Sequence, residues 1–155
     1  MANTIRPARP ADLPDIERIV HDAYAHYVER MGQRPGPMDD DYPARIAEQA
    51  VWVIERDGQI AGLLVLLPEP DHLLLDNVAV AQSHQGQGIG RLLVAFAETE
   101  AERRGYNEIR LYTHVTMVEN QALYRRLGFE ETHRGAQAGF LRVFMRKRLA
   151  RAAQI

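Results

Sequence analysis

The chain has 155 residues, 46% hydrophobic and 26% charged, with a formal net charge of -2 at pH 7 and no cysteine. That length suits one compact domain with a sizeable core, expected to span residues 1–155, and the composition is that of an ordered globular protein. So small a net charge gives no global reason to bind nucleic acid or an anionic membrane, and without cysteine there is no disulfide, thiolate zinc site or cysteine nucleophile.

Residues Asn3 to Ala8 read as a first strand, and Pro10 turns the chain. These opening residues are polar and carry Pro7 and Pro10, so they do not make the apolar core of a signal peptide. Asp12 can cap a helix whose first turn holds Pro14. The spacing of Leu13, Ile16, Ile19 and Val20 predicts that helix over Leu13 to Val28. Met31 to Asp41 reads as a loop, rich in glycine, proline and acid, with a short helix over Tyr42 to Glu48 after it. Val51 to Glu55 and Ile60 to Leu67 form a hairpin about Asp57-Gly58. Ile60 to Leu67 is also the longest apolar run, too short to cross a bilayer, so a cytoplasmic protein is expected. Leu73 to Val80 is the next strand, and Ile89, Leu92, Leu93 and Phe96 mark a helix running to Arg104 and stopped by Gly105. A strand over Glu108 to Thr113, a helix over Val118 to Leu127 ended by Gly128, and strands over Phe129 to Arg134 and Phe140 to Arg148 complete the chain. The basic stretch Arg146 to Arg151 reads as a strand terminus with a tail. The order β-α-α-β-β-β-α-β-α-β-β implies an α/β fold with a mixed sheet and helices on both faces.

Between the strand Leu73 to Val80 and the following helix lies Gln85-Gly86-Gln87-Gly88-Ile89-Gly90. A helix start offers unpaired N–H groups and the positive end of a dipole, so it favours an anion. Glycines at alternate positions let the backbone approach that anion closely, and a pyrophosphate suits such a cradle; a tight turn made for geometry alone is the competing reading. A dinucleotide fold would put a third glycine where Arg91 stands, and would close the next strand with an acid that is missing. A nucleoside-triphosphate loop would end in Gly-Lys-Ser/Thr, where this chain has Gly90-Arg91-Leu92.

Gln85-x-x-Gly88-x-Gly90 resembles the acetyl-CoA signature of the GNAT N-acetyltransferase superfamily. Asp76-Asn77-Val78-Ala79-Val80 resembles that family's fourth strand, and Leu123-Tyr124-Arg125-Arg126-Leu127-Gly128-Phe129 is similar to its second hallmark, Leu-Tyr-x-x-x-Gly-Phe. The similarity covers nearly the whole chain, since the order of elements matches as well. It implies the GNAT fold, a central mixed sheet splayed between strands 4 and 5, and acetyl-CoA as acyl donor with no metal. Gln85, Gly86, Gln87, Gly88, Ile89, Gly90 and Arg91 would then hold the pyrophosphate. The backbone of Val78, Ala79 and Val80 would pair with pantetheine as an added strand, and an N–H near Val78 would polarise the thioester carbonyl.

Tyr124 is the residue the resemblance marks as general acid for the departing thiolate. A thiol titrates near ~8.5 and a phenol near ~10, so the phenol can donate at neutral pH; a core tyrosine bonded to backbone is the alternative. Many family members place a cofactor-binding asparagine seven residues before this tyrosine, where Met117 stands; Asn120, one turn before Tyr124 on the same face, either replaces it or is a surface residue. Asp76 is the candidate general base, with His114 and Tyr112 behind it. A free aspartate titrates near about 3.9, so Asp76 needs burial or a relaying water to act. Arg91, Arg125 and Arg126 are candidates to reach cofactor phosphates or else solvated helix residues. The histidines, His21 and His26 included, form no metal pattern, and Asp39-Asp40-Asp41 is either a solvated acidic loop or an attractor for a cationic acceptor. The leading reading is direct acetyl transfer from acetyl-CoA to a primary amine of a small molecule or peptide in a ternary complex. The alternative is an acyl-CoA-binding regulatory module without turnover. Family members commonly form homodimers, and the sequence marks no interface for one.

Overall fold

A computed structural model describes residues 3–149. The last residues of the basic stretch expected over Arg146 to Arg151 lie outside them. In chain order the elements are β1 (Asn3–Pro7), α1 (Leu13–Tyr24), α2 (Tyr27–Met31), α3 (Tyr42–Ala47), β2 (Val51–Arg56), β3 (Gln59–Pro68), β4 (Leu73–Val80), α4 (Ile89–Arg103), β5 (Glu108–His114), α5 (Val118–Arg126), β6 (Glu130–Gln137) and β7 (Phe140–Arg148). The strands form one mixed sheet in the order β1-β2-β3-β4-β5-β7-β6. The chain divides into two compact units, Met1–Leu66 with Asn77–Val94, and Leu67–Asp76 with Ala95–Ile155.

In the first unit β1 runs antiparallel to β2, from Asn3↔Arg56 to Pro7↔Trp52. The β2–β3 hairpin turns at Asp57 and Gly58, both at positive φ (53° and 79°), the conformation a tight two-residue turn requires. Arg6 of β1 donates to Asp12 at 2.8 and 3.0 Å and to Glu55 at 2.9 and 2.7 Å, which ties the strand to the start of α1. Ile16, Ile19, Val20 and Tyr24 of α1 are buried, the stripe their spacing predicts. Gly62 of β3 sits where a Cβ would lie 2.8 Å from the Ala79 carbonyl oxygen, 3.2 Å from Ile89 Cγ2 and 3.3 Å from Leu93 Cδ1. Only a residue without a side chain lets the first turn of α4 come this close to β3.

In the second unit β4 pairs in parallel with β5 at Leu73↔Ile109, Leu74↔Arg110 and Leu75↔Leu111, and the ladder ends there. β5 pairs antiparallel with β7 over its whole length, from Glu108↔Arg148 to His114↔Arg142, and β6 lies on the far side of β7. Ile109, Leu111, Val143 and Met145, at alternate positions of β5 and β7, are buried on one face, and Ala97 and Ala101 of α4 are buried as well. Lys147 bonds the Leu127 carbonyl at 2.8 Å at the end of α5, a cation at the negative end of a helix.

Three differences from the sequence reading go beyond a single residue. The first helix ends at Tyr24 and restarts at Tyr27, although its apolar stripe runs on through Tyr24 and Tyr27. The loop over Met31 to Asp41 contains a 3-10 turn, Gly36–Asp39. The sixth strand begins at Glu130 and extends to Gln137, with its turn at Ala138 and Gly139, both at positive φ. The whole of that strand is exposed, so no alternation of burial marked its limits.

Candidate active site

The glycine turn belongs to the first unit. β4 runs into a 3-10 turn, Gln82–His84, and the chain then passes Gly86 and Gly88 at φ of 77° and 78°, which glycine alone adopts without strain. A Cβ at either would meet nothing within 4 Å, so neither glycine makes room for a protein group. The first helical bond runs from Leu92 N–H to the Gly88 carbonyl at 3.1 Å. Among the described residues, no backbone N–H from Gly86 through Arg91 donates to a carbonyl. The turn is therefore a strip of open donors at the positive end of α4, a helix of 15 residues. Gln85, Gly86, Gln87, Gly88 and Arg91 are exposed, Gly90 is half-buried, and Ile89 is buried as the anchor of the helix start. Gln87 does not point freely: its Oε1 accepts from Arg56 Nη1 at 2.6 Å, and Arg56 Nε also holds Asn3 at 2.8 Å.

Upstream in the same unit, β4 alternates cleanly, with Asn77 and Ala79 buried and Val78 and Val80 half-buried. Asn77 is the centre of a buried chain of donors. Tyr24 donates to Asn77 Oδ1 at 2.5 Å, Asn77 Nδ2 donates to Tyr42 Oη at 3.1 Å, and Tyr42 donates to the Pro37 carbonyl at 2.5 Å. Tyr24 also lies 3.1 Å from the Val78 carbonyl, one of the backbone groups the resemblance gives to pantetheine. The chain ties β4 to α1, α3 and the Gly36–Asp39 turn. Beside it is a cavity of about 200 Å³ lined by Glu17, Val20, His21, Arg34, Met38, Asp40 and Tyr42. The acidic run has internal partners: Asp39 holds Arg34, Asp40 holds Arg45, and Asp41 caps α3 through the Ala44 N–H at 3.1 Å.

Tyr124, Asp76, His114 and Asn120 belong to the second unit. Tyr124 is 9% exposed, its ring edge-on to Phe129 with centroids 5.8 Å apart, and its carbonyl accepts the Phe129 N–H at 3.0 Å. The Gly-Phe that closes the motif thus forms the wall against which the tyrosine ring is held. Asp76 is half-buried and accepts from Tyr112 at 2.7 Å. His114 ends β5, 8% exposed; burial, and then the Arg142 cation, hold its pKa below the ordinary 6.5. Its Nδ1 accepts the Thr116 N–H at 3.2 Å, with Thr116 Oγ1 at 2.9 Å, so in the neutral ring the proton sits on Nε2. In that tautomer Nε2 presents an N–H. Asn120 is half-buried with Nδ2 3.7 Å from Met117 Sδ, and Met117 is buried, its sulfur also 3.4 Å from Thr113 Oγ1.

The sequence reading passed over Arg56, the Tyr24–Asn77–Tyr42 chain, and Gln121. The last is 4% exposed and donates to the His114 and Val115 carbonyls, both at 3.1 Å, pinning α5 to the end of β5. Their partners lie elsewhere in the chain, so no local motif announces them. Among the described residues, no three His, Asp or Glu side chains are grouped to hold a metal ion, and no helix is long and apolar enough to cross a membrane.

The sequence profile of the acetyltransferase (GNAT) family matches residues 14–129, which take in β4, the glycine turn, α4 and α5 with its Gly-Phe. The chain belongs to that family. The N-acetyltransferase family 8 member 3 of Rattus norvegicus is 37% identical over 87 residues, a match covering 52% of this chain and 38% of that relative. The chain thus matches less than half the length of this curated relative. The paia N-acetyltransferase of Thermoplasma acidophilum, solved in complex with coenzyme A, superposes with a TM-score of 0.80 at 16% identity, over 96% of this chain and 99% of that one. The ribosomal-protein-S18-alanine N-acetyltransferase of Escherichia coli gives 0.77 at 24% identity, over 99% and 97%. At those identities the likeness establishes the GNAT fold, with its mixed sheet.

Proposed function

We propose that the protein is an acetyl-CoA-dependent N-acetyltransferase, a single catalytic domain over residues 1–155 that moves the acetyl group directly to a primary amine. The observation that carries this reading is the strip of open N–H groups from Gly86 through Arg91 at the head of α4. In a chain of this family such a strip suits the pyrophosphate of acetyl-CoA. In this reading Gln85 to Arg91 grip the diphosphate, the backbone of Val78 to Val80 pairs with pantetheine, and Asn120 assists it.

The amine nitrogen attacks the thioester carbonyl carbon, the C–S bond breaks, and the Tyr124 phenol protonates the departing sulfur. The proton lost by the amine goes to Asp76, directly or through water. An N–H near Val78 stabilises the developing oxyanion. No covalent intermediate on the enzyme is needed, and the chain has no cysteine to form one. Isothermal titration with coenzyme A and acetyl-CoA, followed by thiol release with an amine panel, tests the reading. Saturable heat with thiol release supports it. Heat without release from any amine makes the protein a binding module, and no heat from folded protein removes acetyl-CoA altogether.

A further inference from the structure

On the face of β5 and β7 opposite the core, an acid and a cation both meet one tyrosine. Tyr112 donates its hydroxyl proton to Asp76 at 2.7 Å. Over the ring of the same tyrosine lies the guanidinium of Arg142, 4.0 Å from the centroid, and it is 5.3 Å from the ring of Phe140. These contacts seat the guanidinium against the two rings, as cation–π attraction does. Most arginines of this unit, Arg103, Arg104, Arg110, Arg125, Arg134 and Arg146, hold a carboxylate. Among the described residues Arg142 holds none, and its one hydrogen-bond partner is the neutral amide of Gln137.

His114 is the register partner of Arg142 across the β5–β7 ladder, so the two side chains leave the sheet on the same face. With Nδ1 given to the Thr116 N–H, the histidine presents Nε2–H, which has no partner among the described residues. Among the described residues no buried side-chain nitrogen or oxygen lacks a partner, so this N–H reaches solvent although the residue is 8% exposed. A fixed, unneutralised guanidinium beside a nearly buried ring N–H makes a receptor for an oxyanion.

We infer that Arg142 and His114 form a carboxylate subsite, and that the acceptor is an amino acid, bearing a carboxylate beside the amine that is acetylated. The inference rests on the acetyltransferase reading and names the substrate class for it. Asp76, at the hydroxyl of Tyr112, matches the ammonium of such a zwitterion, and Arg142, over the ring, matches its carboxylate.

The test compares matched acceptors at saturating acetyl-CoA: phenylalanine with phenethylamine and phenylalaninamide, and leucine with isoamylamine, read by thiol release. The carboxylate-bearing member is expected to have a kcat/KM about tenfold or more above its partners, the value of one charge-assisted hydrogen bond. Arg142→Gln should abolish that preference, chiefly through the KM for the amino acid, and Arg142→Lys should restore part of it. A fold defect would lower every acceptor alike and leave the ratio in place. Equal or better turnover of the amines or the amide overturns the subsite, as does a ratio that Arg142→Gln leaves untouched. Coenzyme A heat without turnover or thermal shift from any amino acid overturns it too, while the cofactor reading stands. Loss of coenzyme A binding by the wild-type protein removes both.

Discussion

Tyr124→Phe isolates one atom. The substituted ring keeps the edge-on contact with Phe129 at 5.8 Å and the same buried place in α5, and only the hydroxyl is lost. If the hydroxyl protonates the leaving thiolate, kcat for acetyl transfer should fall by about a hundredfold or more, the usual yield of a positioned general acid. Calorimetric affinity for acetyl-CoA should stay within a factor of about two, since a group that acts in the transition state adds little to ground-state binding. A kcat within a few-fold of wild type would return Tyr124 to the role of a core aromatic. The packing of this ring is written locally because Leu-Tyr-x-x-x-Gly-Phe is contiguous: the turn that places the ring and the phenylalanine that holds it follow within one stretch of chain. Asn77 was quoted only as part of a strand. Its partners Tyr24 and Tyr42 are 53 and 35 positions away, and nothing in the local pattern says that two phenols meet there. Arg142 was illegible for the same reason, since its value lies in the ring it covers and in the acid it lacks.

At the scale of elements, the start of α4 depends on β3 as much as on its own glycines. Gly62 gives Ile89 and Leu93 the space to press the helix onto the strand, with the Ala79 carbonyl 2.8 Å from where a Cβ would stand. Gly62→Val forces these groups apart, and overpacking of this kind costs about 1–3 kcal/mol. Urea denaturation should register that loss, and coenzyme A affinity should fall with it because the open N–H strip moves with the helix. Gly36→Ala, where a Cβ meets nothing within 4 Å and φ is not positive, should leave both unchanged. A Gly62→Val protein as stable and as tight for coenzyme A as wild type would refute this coupling. β5, with one face buried, was readable from the alternation of Ile109, Leu111 and Thr113, and the β2–β3 hairpin from Asp-Gly. The break between α1 and α2 was not, because it falls at Ala25-His26, where neither glycine nor proline interrupts the helical spacing. The end of β6 was missed because an exposed strand shows no pattern, and Gly135, just past the expected end at Arg134, lies within the ladder opposite Arg142.

At the scale of the whole molecule, the ionisable groups predict how stability follows pH. Asp12, in the first unit, is held below the ordinary 3.8 by its hydrogen bonds from Arg6, against the opposing effect of burial. Glu100, in the second, is held below 4.5 by Arg103 first and by Arg104, again against burial. A carboxylate with a lowered pKa contributes stability above its unfolded value and loses it as pH falls through the folded one. Both units should therefore weaken together below about pH 4.5. His114 adds an earlier step in the second unit alone. Its pKa lies below 6.5 through burial and the Arg142 cation, so from 6.5 downward the unfolded chain takes up a proton that the folded protein resists. Stability should begin to fall there, well before the carboxylates titrate. Urea midpoints measured between pH 7.5 and pH 3 should show a shallow decline beginning near about 6.5 and a steeper one at the acid end. In His114→Gln the shallow part should vanish and the steep part remain, because Asp12 and Glu100 are untouched. A decline near 6.5 that survives in His114→Gln would mean that another group, and not the buried ring at the end of β5, is the one that resists protonation.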